Sequence, residues 1–168
     1  MTLSFNCEFV SEKQTRKRRA NFEILLATVA KRCSRMEVTM KTEYIAHRIN
    51  TKEELLQLPE EYGVELDLRD DLNGRIYICH NPFEPGEDFE EYCKAYRHGT
   101  MILNIKSERI EHKALEYMEK YQIKDYFFLD SSFPMIKLLT DMGVKQVALR
   151  FSELEGLDTI RNMAGRAR

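Results

Sequence analysis

The chain has 168 residues, 43% of them hydrophobic and 32% charged, with a net charge of -2. That length suits one domain with a sizeable core but falls short of the about 250 residues of a complete eight-fold β/α barrel. Nothing in this composition calls for nucleic acid as a partner, and without an apolar run of about 18 residues no transmembrane segment is expected.

Charge is unevenly spread: lysines and arginines outnumber acids before residue 43, and acids outnumber them after it. The chain therefore divides into a basic N-terminal extension, residues 1–42, and an acidic body, residues 43–168. Within the extension, residues 12–36 carry Arg16, Lys17, Arg18 and Arg19, then Phe22, Ile24, Leu25, Leu26 and Val29, then Lys31, Arg32 and Arg35. This reads as a basic amphipathic helix. It would serve as a weak contact for anionic membrane surfaces, as a solvated leader, or as a helix packed on the body.

Cys7, Cys33, Cys79 and Cys93 lie far apart, with no CxxC pair and no Cys/His ligand spacing. Neither a zinc site nor a disulfide framework is expected. The N-terminus also lacks the apolar stretch and small-residue cleavage site of a signal peptide. Reduced thiols in a cytoplasmic protein are the expectation.

The body alternates short apolar runs with helical patterns. Residues 42–46 lead to His47; Asn50 or Thr51 caps a helix through about Leu58, with Glu53 and Glu54 near its positive end and Pro59 marking its close. Residues 63–68 form a second strand, and Asp71-Leu72-Asn73-Gly74 a turn into residues 75–79. Residues 88–97 read as helix, 101–106 as strand, 109–121 as amphipathic helix, 126–130 as strand, 134–142 as helix and 147–150 as a last strand. Such alternation predicts an α/β protein with a parallel sheet and about five units.

Polar residues recur at the C-terminal ends of the apolar runs: His47-Arg48, Asp67, His80, Lys106, Asp130 and Arg150. In parallel β/α folds ligands bind at that edge. Glu65 and Asp67, two apart on a strand, share a face, and burying adjacent like charges there is costly without a cation. A hard cation such as Mg²⁺ or Ca²⁺ removes that cost, whereas a solvent-exposed pair on an edge strand needs none. His47 and His80 suit general acid/base work, and Arg48 and Lys106 suit a phosphate.

Taken together, Ile45-Ala46-His47-Arg48, Gly63-Val64-Glu65-Leu66-Asp67-Leu68-Arg69, Asn73-Gly74 with His80-Asn81-Pro82-Phe83, and Leu103-Asn104-Ile105-Lys106 resemble the glycerophosphodiester phosphodiesterase family. That family sits within the phosphatidylinositol-phospholipase-C-like barrels, and the resemblance spans roughly residues 43–155. It implies a TIM (β/α)8-type barrel that hydrolyses a small or lipid-derived phosphodiester with one divalent cation. His47 and His80 would be the catalytic acid/base pair, Glu65 and Asp67 metal ligands, and Arg48 and Lys106 substrate contacts.

Three positions depart from the family pattern. Ile49 replaces the usual glycine after His-Arg, Asn81 replaces an aspartate, and Asn104 stands where a third acidic metal ligand is usual. An amide oxygen binds a hard cation more weakly than a carboxylate, so Glu108 or Glu153 would assist. The sequence after Arg150 holds at most one more helix, so the barrel is expected to be partial, from a fragment or a truncated product. Two other readings stand beside this one: a non-catalytic phosphate-binding or interaction module of the same fold, or an unrelated α/β protein with His47, Glu65, Asp67 and His80 scattered. Separations above about 10 Å would mark the last, because one cation with ligands at 2.0–2.6 Å cannot span them.

Overall fold

A computed structural model describes residues 42–152 and 156–167. The expected helix at residues 12–36 lies outside these residues. From Glu43 onward the chain forms one unit.

Its strands are β1 (Ile45–Ala46), β2 (Gly63–Asp70), β3 (Ile76–Ile78), β4 (Glu87–Asp88), β5 (Met101–Ile105) and β6 (Tyr126–Leu129). The helices are α1 (Lys52–Gln57), α2 (Phe89–Ala95), α3 (Glu111–Lys120), α4 (Phe133–Asp141) and α5 (Leu157–Met163). Local chemistry explains several boundaries. Thr51 accepts a hydrogen bond from the Glu54 amide while Glu54 reaches back to the Thr51 amide, a capping box that starts α1. Leu58 is extended, as a residue before proline must be, and closes it. Asp88 caps α2 through the Glu91 amide. Between β2 and β3 the Asp71 carboxylate accepts from the amides of Asn73 and Arg75, and Gly74 takes the left-handed φ of 71° that the turn requires.

The sheet runs β4-β3-β2-β5-β6, with β1 also on β2. β1, β5 and β6 are parallel to their neighbours; β3 and β4 are antiparallel. The α/β expectation holds, and the wholly parallel sheet does not. The Asp71–Gly74 turn is short enough to fold residues 75–79 straight back along β2, whereas a parallel pairing needs a crossover of a dozen or more residues. The strand expected at residues 147–150 reduces to a single parallel bridge between Phe128 and Val147. Among the described residues the sheet is open and does not close into a barrel.

β2 is buried on both faces. Val64, Leu66 and Leu68 point one way and, with Met101, Leu103, Ile105, Tyr126 and Phe128, meet the buried sides of the helices at Leu55, Phe89, Tyr92, Met118, Ile136 and Leu139. Burying each such side chain is worth about 1.5–3 kcal/mol, which makes this face the main source of stability. The other face of β2 carries Glu65 and Asp67. Gly63 opens the strand where a Cβ would lie 2.5 Å from the Thr100 carbonyl oxygen, so glycine lets β5 approach the start of β2.

Candidate functional site

Register brings the polar residues together. Asp67 pairs with Asn104 across β2 and β5, so their side chains share a face with Glu65 one pleat away. Glu65 and Asp67 are 4% and 0% exposed, and Asn104 is 8% exposed. The solvent-exposed edge pair that the sequence left open is thereby ruled out for this structure.

The chain's own donors surround Glu65. Asn104 Nδ2 donates to Oε1 at 2.7 Å, the Arg48 backbone N–H donates to Oε2 at 2.9 Å, and His47 Nε2 stands 3.6 Å from Oε2. Around Asp67, Asn50 Nδ2 donates to Oδ2 at 3.1 Å, His80 Nδ1 stands 3.3 Å from Oδ2, and Lys106 Nζ stands 3.4 Å from Oδ1. Arg48 closes the circuit with its guanidinium 3.2 Å from His80 Nε2. All seven residues that the sequence singled out, His47, Arg48, Glu65, Asp67, His80, Asn104 and Lys106, therefore join one network of direct contacts. His47, Glu65, Asp67 and His80 are not scattered.

Burial raises the Asp67 carboxyl, but the hydrogen bond from Asn50, the His80 imidazole 3.3 Å away and the charge of Lys106 outweigh it, holding Asp67 below the usual carboxylate range. It is an anion at neutral pH. Arginine can only donate, so the His80 Nε2 facing Arg48 accepts and the ring hydrogen of neutral His80 lies on Nδ1, toward Asp67.

Two further residues, Asn50, read from the sequence only as a candidate helix cap, and Arg69, were given no role at the site. Asn50 holds Asp67 from both sides, accepting from its backbone N–H at 3.0 Å while donating to its carboxylate. Arg69, on the same face of β2, donates to the His80 carbonyl at 2.8 Å and to the Lys106 carbonyl at 3.2 Å. It brackets the two segments that carry the basic side chains. Neither role had a signal in spacing alone, because both depend on which loop carbonyl or amide lies opposite.

The positions at which the sequence differs from the glycerophosphodiester phosphodiesterase pattern have local partners or local backbone roles. Arg48 itself, at φ 58°, takes the left-handed turn, so Ile49 needs no glycine-like backbone. Asn81 donates to Glu84 within its own loop. Glu108 accepts from Ser132 Oγ instead of joining Asn104, and Glu153 lies outside the described residues. Asp130 and Arg150 form an ion pair with each other at the far side of the edge.

A cation is tested by what the donors leave unused. Asp67 Oδ1 and Asn104 Oδ1 are buried oxygens without a hydrogen-bond partner. Buried polar atoms are rarely orphaned, and hard cations take carboxylate and amide oxygens. Among the described residues no group of three or more His, Cys, Asp or Glu side chains is arranged to hold a metal ion. The candidate set is instead two carboxylates and an amide.

Compared with models of known protein families, with curated proteins and with solved structures, the chain matches none. Among the described residues no helix is long and apolar enough to cross a membrane.

Proposed function

We propose that this chain is a phosphodiesterase of the glycerophosphodiester type, assisted by one divalent cation, Mg²⁺ or Ca²⁺, and working in the cytoplasm on a small or lipid-derived phosphodiester. The observation that carries this reading is the network at the edge of β2 and β5: two buried carboxylates, two histidines, an arginine and a lysine in direct contact, with Asp67 Oδ1 facing only the Lys106 ammonium and Asn104 Oδ1 without a hydrogen bond. Burying two carboxylates side by side is costly, and proteins concentrate such cost where chemistry needs it.

Glu65, Asp67 and Asn104 would hold the cation, which when bound would neutralise charge on the phosphoryl oxygens. Arg48 and Lys106 would hold the same oxygens, Arg48 with a planar fork and Lys106 as a point charge. His80, with its hydrogen on Nδ1 and its lone pair on Nε2, is set to accept a proton once Arg48 turns toward a phosphate. His47, whose side chain is 70% exposed, would donate a proton to the departing alcohol. Asp67 would stabilise the charge that His80 gains.

The family resemblance adds a partial (β/α)8 barrel as the architecture behind the open sheet, and the basic segment 12–36 would touch anionic lipid. Deleting residues 1–40 should weaken binding to anionic vesicles; unchanged binding rejects that contact. For the activity, release of glycerol phosphate from glycerophosphocholine should require added cation and be lost in His47→Ala. Release that survives both chelation and His47→Ala rejects the mechanism.

One observation favours a second reading, a phosphate-binding module without turnover. Asn104 stands where an acid would bring negative charge, and its amide donates to Glu65 Oε1. Under this reading the diester binds, and no glycerol phosphate appears.

A further inference from the structure

Between the residues that pair with β1 and those that pair with β3, the edge of β2 has no strand beside it among the described residues. Residues 48–50 fill the gap with substitutes. Arg48 N–H donates to the Glu65 carboxylate, Ile49 N–H donates to the Glu65 carbonyl at 2.9 Å, and the Asn50 carboxamide accepts from Asp67 N–H at 3.0 Å. Tyr92, fully buried, anchors this segment by donating its hydroxyl to the Ile49 carbonyl at 2.9 Å.

Asn50 is the member of this segment that grips one residue with both ends of its amide, its oxygen accepting from the Asp67 backbone N–H and its NH2 donating to the Asp67 carboxylate. Because its oxygen is fixed by the Asp67 backbone, its Nδ2 can meet only one carboxylate oxygen, Oδ2, at 3.1 Å. Oδ2 is also the oxygen 3.3 Å from His80 Nδ1, a close approach short of a hydrogen bond, while Oδ1 faces the Lys106 ammonium at 3.4 Å and likewise has no hydrogen-bond donor. Without the clasp, the carboxylate is free to rotate toward Lys106 and leave His80. A carboxylate that orients an imidazole works only while its own direction is fixed.

The geometry points to Asn50 as a positioning residue that divides the two oxygens of Asp67, giving Oδ2 to His80 and keeping Oδ1 for the cation side. It acts through Asp67 and touches no reacting atom. The activity consequence rests on the phosphodiesterase reading; the spectroscopic one does not.

The test is proton and nitrogen NMR of the histidine rings in the full chain at about pH 8, where ordinary imidazoles are neutral. His80 should show a low-field, slowly exchanging Nδ1–H. His98 supplies an internal control of opposite tautomer, because its Nε2 faces the Leu58 carbonyl at 3.2 Å and must carry the hydrogen. Asn50→Ala should lose the His80 resonance and keep that of His98. Asn50→Asp keeps an acceptor within reach of the Asp67 amide but sets a carboxylate, which repels Oδ2, where the NH2 had donated; it should lose the His80 resonance too. With glycerophosphocholine as substrate, kcat in both variants should fall at least about tenfold, with KM changed less than about twofold. A His80 Nδ1–H that persists in both variants, or is absent from the parent, overturns the assignment. So does loss of the His98 signal in Asn50→Asp, which would make Asn50 a folding residue. If the parent hydrolyses no phosphodiester while these ring signals behave as expected, the proposed activity fails and the role of Asn50 stands.

Discussion

Replacing Glu65 by glutamine separates the structural work of this carboxylate from its electrostatic work. Glu65 accepts from Asn104 at Oε1 and from the Arg48 amide at Oε2. A glutamine has one oxygen, so its NH2 must face one of those donors. Asn104 can resolve the conflict, because its own oxygen has no hydrogen-bond partner and a 180° flip presents it to the new NH2. The glutamine oxygen then serves the Arg48 amide. Two hydrogen bonds to a charged group become two neutral ones, and the difference of about 0.5–1.5 kcal/mol each puts the total cost at about 1–3 kcal/mol. Glu65→Ala leaves both donors unmet inside the protein and should cost more, about 2–6 kcal/mol. The flip also points the Asn104 NH2 where its oxygen had faced, and the variant loses one negative charge. Cation binding should therefore vanish while the fold survives. The assay is thermal unfolding with and without Mg²⁺ or Ca²⁺. At cation concentrations tenfold above Kd the parent gains about 1.4 kcal/mol, a rise in Tm of roughly 4–8 °C. Glu65→Gln should show none. A full cation-induced rise in Glu65→Gln would refute the assignment of Glu65 as a ligand.

Asn104→Asp should invert the usual sign of a buried charge: with chelator its carboxylate faces Glu65 across 2.7 Å and lowers Tm below the parent, and with Mg²⁺ or Ca²⁺ it should exceed the parent. Urea midpoints with and without cation check both halves. Asp67, whose folded-state pKa is depressed, contributes stability that is full above the unfolded value of about 4 and is lost as pH falls through the lower folded value. Asp67→Asn should therefore be less stable than the parent at pH 7, with the gap narrowing in urea titrations as the pH is taken below 4. Glu111 is the opposite case: burial raises its carboxyl above the usual range, so its ionised form costs stability at neutral pH. Glu111→Gln should raise Tm at pH 7, and the gain should shrink as pH falls through the raised Glu111 value.

Much of the body was legible because its signals are local. The capping box at Thr51 and Glu54, the Asp71–Gly74 turn, and the alternation of Val64, Leu66 and Leu68 with Glu65 and Asp67 each depend on neighbours within a few residues. The shared face of Glu65 and Asp67 follows from the two-residue period of a strand and survives into the structure. Pairing was less legible. Residues 75–79 read as a strand whichever way they run, and only the five-residue connection decides for antiparallel pairing on β2. The last expected strand depended on Val147, Ala148 and Leu149, but pairing reaches only the Val147 bridge beside Phe128. At the site, residue types on strand ends were visible in advance, whereas Asn50 and Arg69 act through the backbone of Asp67, His80 and Lys106, whose positions only the fold supplies.

Steady-state release of glycerol phosphate from glycerophosphocholine by the parent and by His80→Ala, with Mg²⁺ or Ca²⁺ and then with chelator, tests the central claim most directly. General acid/base catalysis contributes typically 10²–10⁴-fold, so His80→Ala should reduce kcat by at least about a hundredfold, and chelation should abolish parental turnover. Parental turnover that is indifferent to chelation, or a His80→Ala variant as active as the parent, would contradict a cation-assisted mechanism built on Glu65, Asp67 and His80.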